Sequence, residues 1–157
     1  MTGVQTCALP ISAALALGAA AVQVGTAYLF SPQAKVSTLH RAALRAARDD
    51  VTALTNLFTG RPARGIVNRF IREIGPMSPT APQFPMAANA VTPLRAQAEQ
   101  RGSGDFSPLW SGQAAALARE IDAAELTRNL AAGALALLND LCNRSRAHQA
   151  RHAALRA

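Results

Sequence analysis

The stretch Gly18 to Leu29, GAAAVQVGTAYL, constrains this chain more than any other. Its small and β-branched apolar run predicts a short buried strand, Ala21 to Val24, with Gly25 and Thr26 at its C-terminal end. That end suits a phosphate. Glycine lets backbone approach a ligand, and neighbouring N–H groups and a hydroxyl donate hydrogen bonds to it. In a (β/α)8 barrel the C-terminal ends of the last strands are where a phosphate-bearing cofactor sits. A parallel strand needs partners on both edges, and the sequence offers at most one candidate, around Thr52 to Phe58. One strand cannot make a barrel, so the chain reads as the tail of a larger α/β enzyme.

The two ends read differently from the middle. Residues 1–11, MTGVQTCALPI, resemble the conceptual translation of a common sequencing-adapter oligonucleotide and are expected to be a non-native leader. No charged side chain precedes Lys35, so the charged n-region of a secretory signal is missing. Residues 7–30 approach the hydropathy of a membrane span, but Pro10, Gln23, Thr26 and glycines interrupt them. They read as core that has lost its covering, and no membrane partner is expected.

Half of the 157 residues are hydrophobic, but alanine dominates that half and aromatics make up only 4%, so little area is buried per residue. The net charge of +7 comes almost entirely from arginines, with Lys35 the single lysine. The charge permits an acidic partner. The arginines are scattered and lack aromatic stacking platforms, so no nucleic-acid partner is expected. Of the two cysteines, Cys7 lies in the leader and Cys142 stands alone. No disulfide framework follows, and a cytoplasmic protein is expected.

Ser12 to Leu17 reads as the end of a helix stopped by Gly18. Ser37 caps a helix over about 38–48, with Leu39, Ala42, Ala43 and Ala46 as its apolar stripe. His40 reads as a partly exposed helix residue, not a ligand. Pro62 to Gly75 reads as a helix with Ile66, Val67, Phe70, Ile71 and Ile74 on one face. Its arginines read as solvated, with Arg61 or Arg64 as the alternative for a cofactor or partner contact. Pro76, Pro79, Pro82 and Pro85 make a stiff crossing. Thr92-Pro93 opens a helix that stops at Gly102. A loop carrying Trp110 leads to a helix from Gln113 through Arg119. Asp122 caps the strongest helix, about 123–143, which bears Leu126, Leu130, Leu137, Leu138 and Leu141. A frayed tail, 144–157, follows. His148 and His152 share a helix face, but no third ligand suggests a metal site. No nucleotide-binding loop and no nucleophile–base arrangement is present.

Three stretches in this order, AALALGAAAVQVGTAYL, TGRPARGIVNRFIREIG and FSPLWSGQAAALAREIDAAELTRNL, resemble the C-terminal portion of bacterial nitronate monooxygenases, formerly called 2-nitropropane dioxygenases. The resemblance covers roughly residues 12–140 and implies an α/β fold class: the C-terminal part of a (β/α)8 TIM barrel with a mostly helical insertion, the chain itself predominantly α. It implies non-covalent FMN and oxidation of alkyl nitronates by O2 to a carbonyl compound and nitrite, through one-electron flavin chemistry. It implies that Gln23, Val24, Gly25 and Thr26 hold the FMN phosphate. Residues 12–30 would end the barrel, 31–121 would be the insertion on the substrate side, and 122–143 the last barrel helix. Trp110 and Gln113 would lie near the substrate cavity, with a packing role the alternative for both. The family's catalytic histidine and its other, glycine-rich phosphate turn lie upstream of anything matched here. His40, His148 and His152 do not fit the histidine motif, so no catalytic residue is assigned. The chain as it stands is expected to bind FMN weakly or not at all, and to aggregate. Two alternatives stay open: a flavin-dependent enoyl-acyl-carrier-protein reductase fragment, which would need NAD(P)H, and a small basic helical binding module.

Overall fold

The computed structural model describes residues 4–154, with side chains described from Leu9 to Arg151. They form two compact units, one made of the chain up to Val24 together with the chain from Ile121, the other of Gly25–Glu120.

The first unit is a helix pair. Helix α1, Val4–Ala16, ends in a Schellman turn, with Gly18 at φ +95°, its N–H on the Leu15 carbonyl and the Ala19 N–H on that of Ala14. Only a residue without Cβ takes that torsion cheaply, so the expected stop at Gly18 is borne out. Helix α6, Ala123–Ala154, starts where the Asp122 carboxylate accepts the Ala124 and Glu125 N–H groups at 2.8 and 3.1 Å. Helix α1 packs on α6, where Leu126, Leu130 and Ala134 are buried at i, i+4, i+8 spacing, and the Ser12 hydroxyl reaches the Ala134 carbonyl. The helix does not fray at Asn143 but runs on to Ala154. The arginines of this stretch favour helix, and Arg144 pairs with Asp140 one turn back.

The expected strand Ala21–Val24 does not form. Residues 19–25 have no regular structure, and Ala21, Val22 and Gln23 are exposed. Strand backbone needs a ladder, and no described strand pairs with this segment.

The second unit begins with a one-turn helix α2, Thr26–Leu29. Helix α3, Thr38–Ala46, is capped by the Ser37 hydroxyl, which accepts the His40 N–H. Its buried face matches the expected stripe only in part: Ala43 packs against the core and Leu39 is half-buried. Ala42 and Ala46 are exposed, and Leu44 and Ala47 enter the core because they carry the face that meets Phe30, Ile66, Leu109 and Ala115. Strands β1, Thr52–Thr55, and β2, Ala63–Ile66, pair antiparallel with Thr52 opposite Ile66 and Thr55 opposite Ala63. The helix expected from Pro62 therefore starts later, as α4, Arg69–Ile74. Arg64 and Ile66 belong to the ladder, and Asn68 supplies the cap by accepting the Ile71 N–H. The Asn68 amide also donates to the Gly104 and Ser107 carbonyls, both at 3.0 Å, tying α4 to the following loop.

The proline crossing has no regular structure and is fastened at one end by Asn56, which donates to the Ser78 carbonyl and accepts its N–H. At its other end the crossing lies against Gly60, where a Cβ would meet the Pro82 carbonyl oxygen at 2.6 Å. Helix α5, Met86–Gln100, starts seven residues before Pro93 and continues through it. The missing Pro93 donor is tolerated on an exposed face while Ala87 and Val91 bury the opposite one. A second Schellman turn ends it at Gly102, φ +74°. The chain then returns along β2 and closes with a short 3-10 helix, Gln113–Leu117, two residues short of the expected end. Trp110, Phe58, Phe70 and Phe106 form a chain of tilted and edge-on rings with centroids 5.6–5.8 Å apart. The few aromatics in the sequence are concentrated here.

Candidate functional site

Gln23, Val24, Gly25 and Thr26, the residues assigned to the phosphate, are consecutive and lead into α2. Gln23 is exposed and Val24 half-buried. Gly25 is the residue before α2, and its carbonyl accepts the Tyr28 N–H at 3.0 Å. A Cβ built on Gly25 would meet no atom within 4 Å, so the space in front of the turn is open. The first N–H groups of a helical turn have no partner within it.

Thr26 is the anchored member. Its Oγ1 accepts the Gly112 N–H at 2.8 Å, across 86 positions of sequence. A threonine hydroxyl has two acceptor sites and one proton. The Gly112 contact uses one acceptor site and leaves the O–H free to donate. An anionic phosphate oxygen needs that donor, so the residues present fit such a group.

Helix α3 holds the surroundings of Thr26 from two adjacent side chains. The Arg41 guanidinium donates to the Phe30, Ser31 and Ala34 carbonyls at 3.3, 3.5 and 3.2 Å, gripping the C-terminal end of α2. A cation there also complements the partial negative charge of the last helical carbonyls. His40 is half-buried, and its Nε2 lies 2.9 Å from the Trp110 carbonyl oxygen, to which a ring N–H donates. It links α3 to the segment that carries Trp110.

Trp110 belongs to the segment that carries Gly112. Leu109 to Ser111 runs antiparallel along the free edge of β2: the Ile66 N–H donates to the Leu109 carbonyl at 2.8 Å, and the Ser111 N–H to that of Arg64 at 3.1 Å. Gly65 makes this possible, since a Cβ there would lie 3.0 Å from the Leu109 carbonyl oxygen. The Trp110 ring packs edge-on against Phe58. Gln113 lines a wide cavity of about 670 Å3 with Arg48, Asp49 and Leu117. Arg64 is absorbed by β1, donating to the Thr52 carbonyl and hydroxyl at 3.3 and 3.2 Å. Arg61 lies over the Phe84 ring at 4.1 Å.

Among the described residues no group of three His, Cys, Asp or Glu side chains is placed to hold a metal, and no helix is long and apolar enough to cross a membrane. The His152 side chain lies outside the described residues, as does that of Cys7. Cys142 is exposed.

The family model for nitronate monooxygenase matches residues 6–133, which include the whole Gln23–Thr26 turn and Gly112. This chain belongs to the nitronate monooxygenase family. A nitronate monooxygenase of Pseudomonas aeruginosa is 46% identical over 76% of this chain and 34% of its own length. A probable nitronate monooxygenase of Staphylococcus saprophyticus is 35% identical over 81% and 36%. The chain thus spans about a third of the curated relatives it matches. Among solved structures, a nitroalkane oxidase from Streptomyces ansochromogenes aligns with a TM-score of 0.72 at 41% identity, covering 90% of this chain and 38% of that one. FabK from Thermotoga maritima aligns at 0.59 and 25% identity, covering 90% and 44%. Family membership removes the small basic binding module from consideration.

Sequence reasoning found the Gly-Thr turn but missed Arg41 and Gly112. The one signal available was Gly112 itself, a glycine placed where no turn requires it.

Proposed function

We propose that this chain supplies the phosphate-gripping turn and covering insertion of an FMN-dependent nitronate monooxygenase, a (β/α)8-barrel enzyme of the cytoplasm. The substrates are an alkyl nitronate and O2, and the products a carbonyl compound and nitrite. The observation that carries this reading is the Thr26 hydroxyl, held by Gly112 with its proton free, inside the stretch matched by the family model. When bound, FMN supplies the redox chemistry between nitronate and oxygen. Thr26 donates its hydroxyl proton to a phosphate oxygen, Gly25 leaves room for the phosphate to approach, and the adjoining backbone N–H groups add donors. Gln23 and Val24 complete the turn. Residues 31–121 form the insertion that covers the substrate side.

The test joins residues 12–157 to the upstream two-thirds of the Pseudomonas aeruginosa relative. The product is expected to retain FMN, consume O2 and release nitrite from an alkyl nitronate without NAD(P)H. Flavin bleaching by NAD(P)H with no nitrite would establish the enoyl-acyl-carrier-protein reductase reading instead. That reading is the weaker one, because the FabK structure is less similar to this chain than the nitroalkane oxidase structure is. A colourless, inert protein overturns both.

A further inference from the structure

We infer that Gly112 is a positioning residue for the Thr26 hydroxyl, and through it sets the preference of the turn for a phosphate-bearing flavin over one without phosphate. The inference rests on the reading of Gln23–Thr26 as a phosphate turn.

A hydroxyl on an open turn rotates among three staggered positions. The Gly112 N–H, 2.8 Å from Oγ1, forbids the one that aims the proton at Gly112. The remaining positions aim it elsewhere, where it can be donated. The donor is held in place from three sides. The Ser111 N–H bonds the Arg64 carbonyl, the Trp110 carbonyl bonds His40, and the Ser111 hydroxyl donates to the Gly112 carbonyl at 3.0 Å.

The absence of a side chain at position 112 has a specific cause. Gly112 has φ −76° and ψ 168°, extended backbone open to any residue. Torsion does not demand glycine here. A Cβ, however, would sit 3.3 Å from Thr26 Oγ1, tighter than ordinary contact. Alanine at this position therefore presses on the one atom that the N–H is holding.

The test titrates residues 12–157, joined to the upstream two-thirds of the Pseudomonas aeruginosa relative and freed of flavin, with FMN and with riboflavin, followed by flavin fluorescence. The wild type is expected to bind FMN more tightly than riboflavin. Gly112→Ala is expected to weaken FMN about three- to tenfold, the worth of one hydrogen bond, and to leave riboflavin unchanged. In a Thr26→Val background Gly112→Ala is expected to have no further effect. Equal losses for FMN and riboflavin, or an undiminished effect in the Thr26→Val background, would overturn the positioning role while leaving the phosphate turn standing. A wild type that does not distinguish the two flavins overturns the phosphate turn, and this inference with it. Should Gly112→Ala not fold, hydrogen exchange at the Gly112 amide decides: Thr26→Ser should keep its protection and Thr26→Val lose about tenfold. Equal protection in the two variants overturns the inference.

Discussion

Glu99 shows how one side chain records the pH at which a fold is held. Its carboxylate accepts from the Arg95 guanidinium one turn back and from the buried Ser107 hydroxyl, both at 2.7 Å. These bonds, Arg95 first, hold its carboxyl below the ordinary value of 4.5. A carboxyl depressed in the fold stabilises it above the unfolded pKa, and that contribution is lost as pH falls through the folded one. Glu99 is a third exposed and Arg95 more so, which screens the pair. Glu99→Gln keeps the shape without the charge. It should cost about 0.5 kcal/mol near neutrality. The gap should close in acid, once the pH has fallen through the lowered folded value and the wild-type side chain is neutral as well. Urea titrations of both proteins at neutral and acid pH check this, and a gap that persists in acid would mean that shape, not charge, matters.

Helix α5 carries a more visible conflict. Pro93 sits in its interior, where the ring removes a hydrogen bond to the Asn89 carbonyl and crowds it. Residues 92–95 are exposed, so no core packing asks for proline there. Pro93→Ala should raise the unfolding free energy by about 1–3 kcal/mol, read from denaturant titration. The same element shows where sequence reading works and where it stops. Caps and glycine stops are local, so Ser37, Asp122, Gly18 and Gly102 were legible. The start of α5 was not, because a proline that would ordinarily open a helix is carried inside one. The start of α4 was missed for a different reason. Ile66 and Val67 fit a helical stripe as well as a strand, and the choice is made by β1 and by Leu109, 43 positions away from Ile66. In the candidate site Gly25 and Thr26 were readable from type and order. Gly112 was not, since its partner lies 86 positions back.

At the scale of the molecule, apolar surface is left uncovered. Leu135 and Leu141 on α6 are 61% and 52% exposed, and Leu17 is 90% exposed. Exposed leucines of this kind favour association. The chain should bind a hydrophobic dye and elute earlier from a sizing column as concentration rises. Leu135→Gln with Leu141→Gln should reduce both effects without lowering the melting temperature. An unchanged elution profile would place the sticky surface elsewhere. The second unit has a different character. Thr26, next to its first residue, is bonded to Gly112, and Arg45 is paired with Glu120 at its close. A stretch of polypeptide tied off in this way behaves as a cassette. Length added to its interior, between Pro76 and Phe106, asks nothing of the Thr26–Gly112 bond, and each doubling of such a loop costs only about 0.6 kcal/mol. The middle of the unit can thus be resized while the bond that ties its two ends stays where it was.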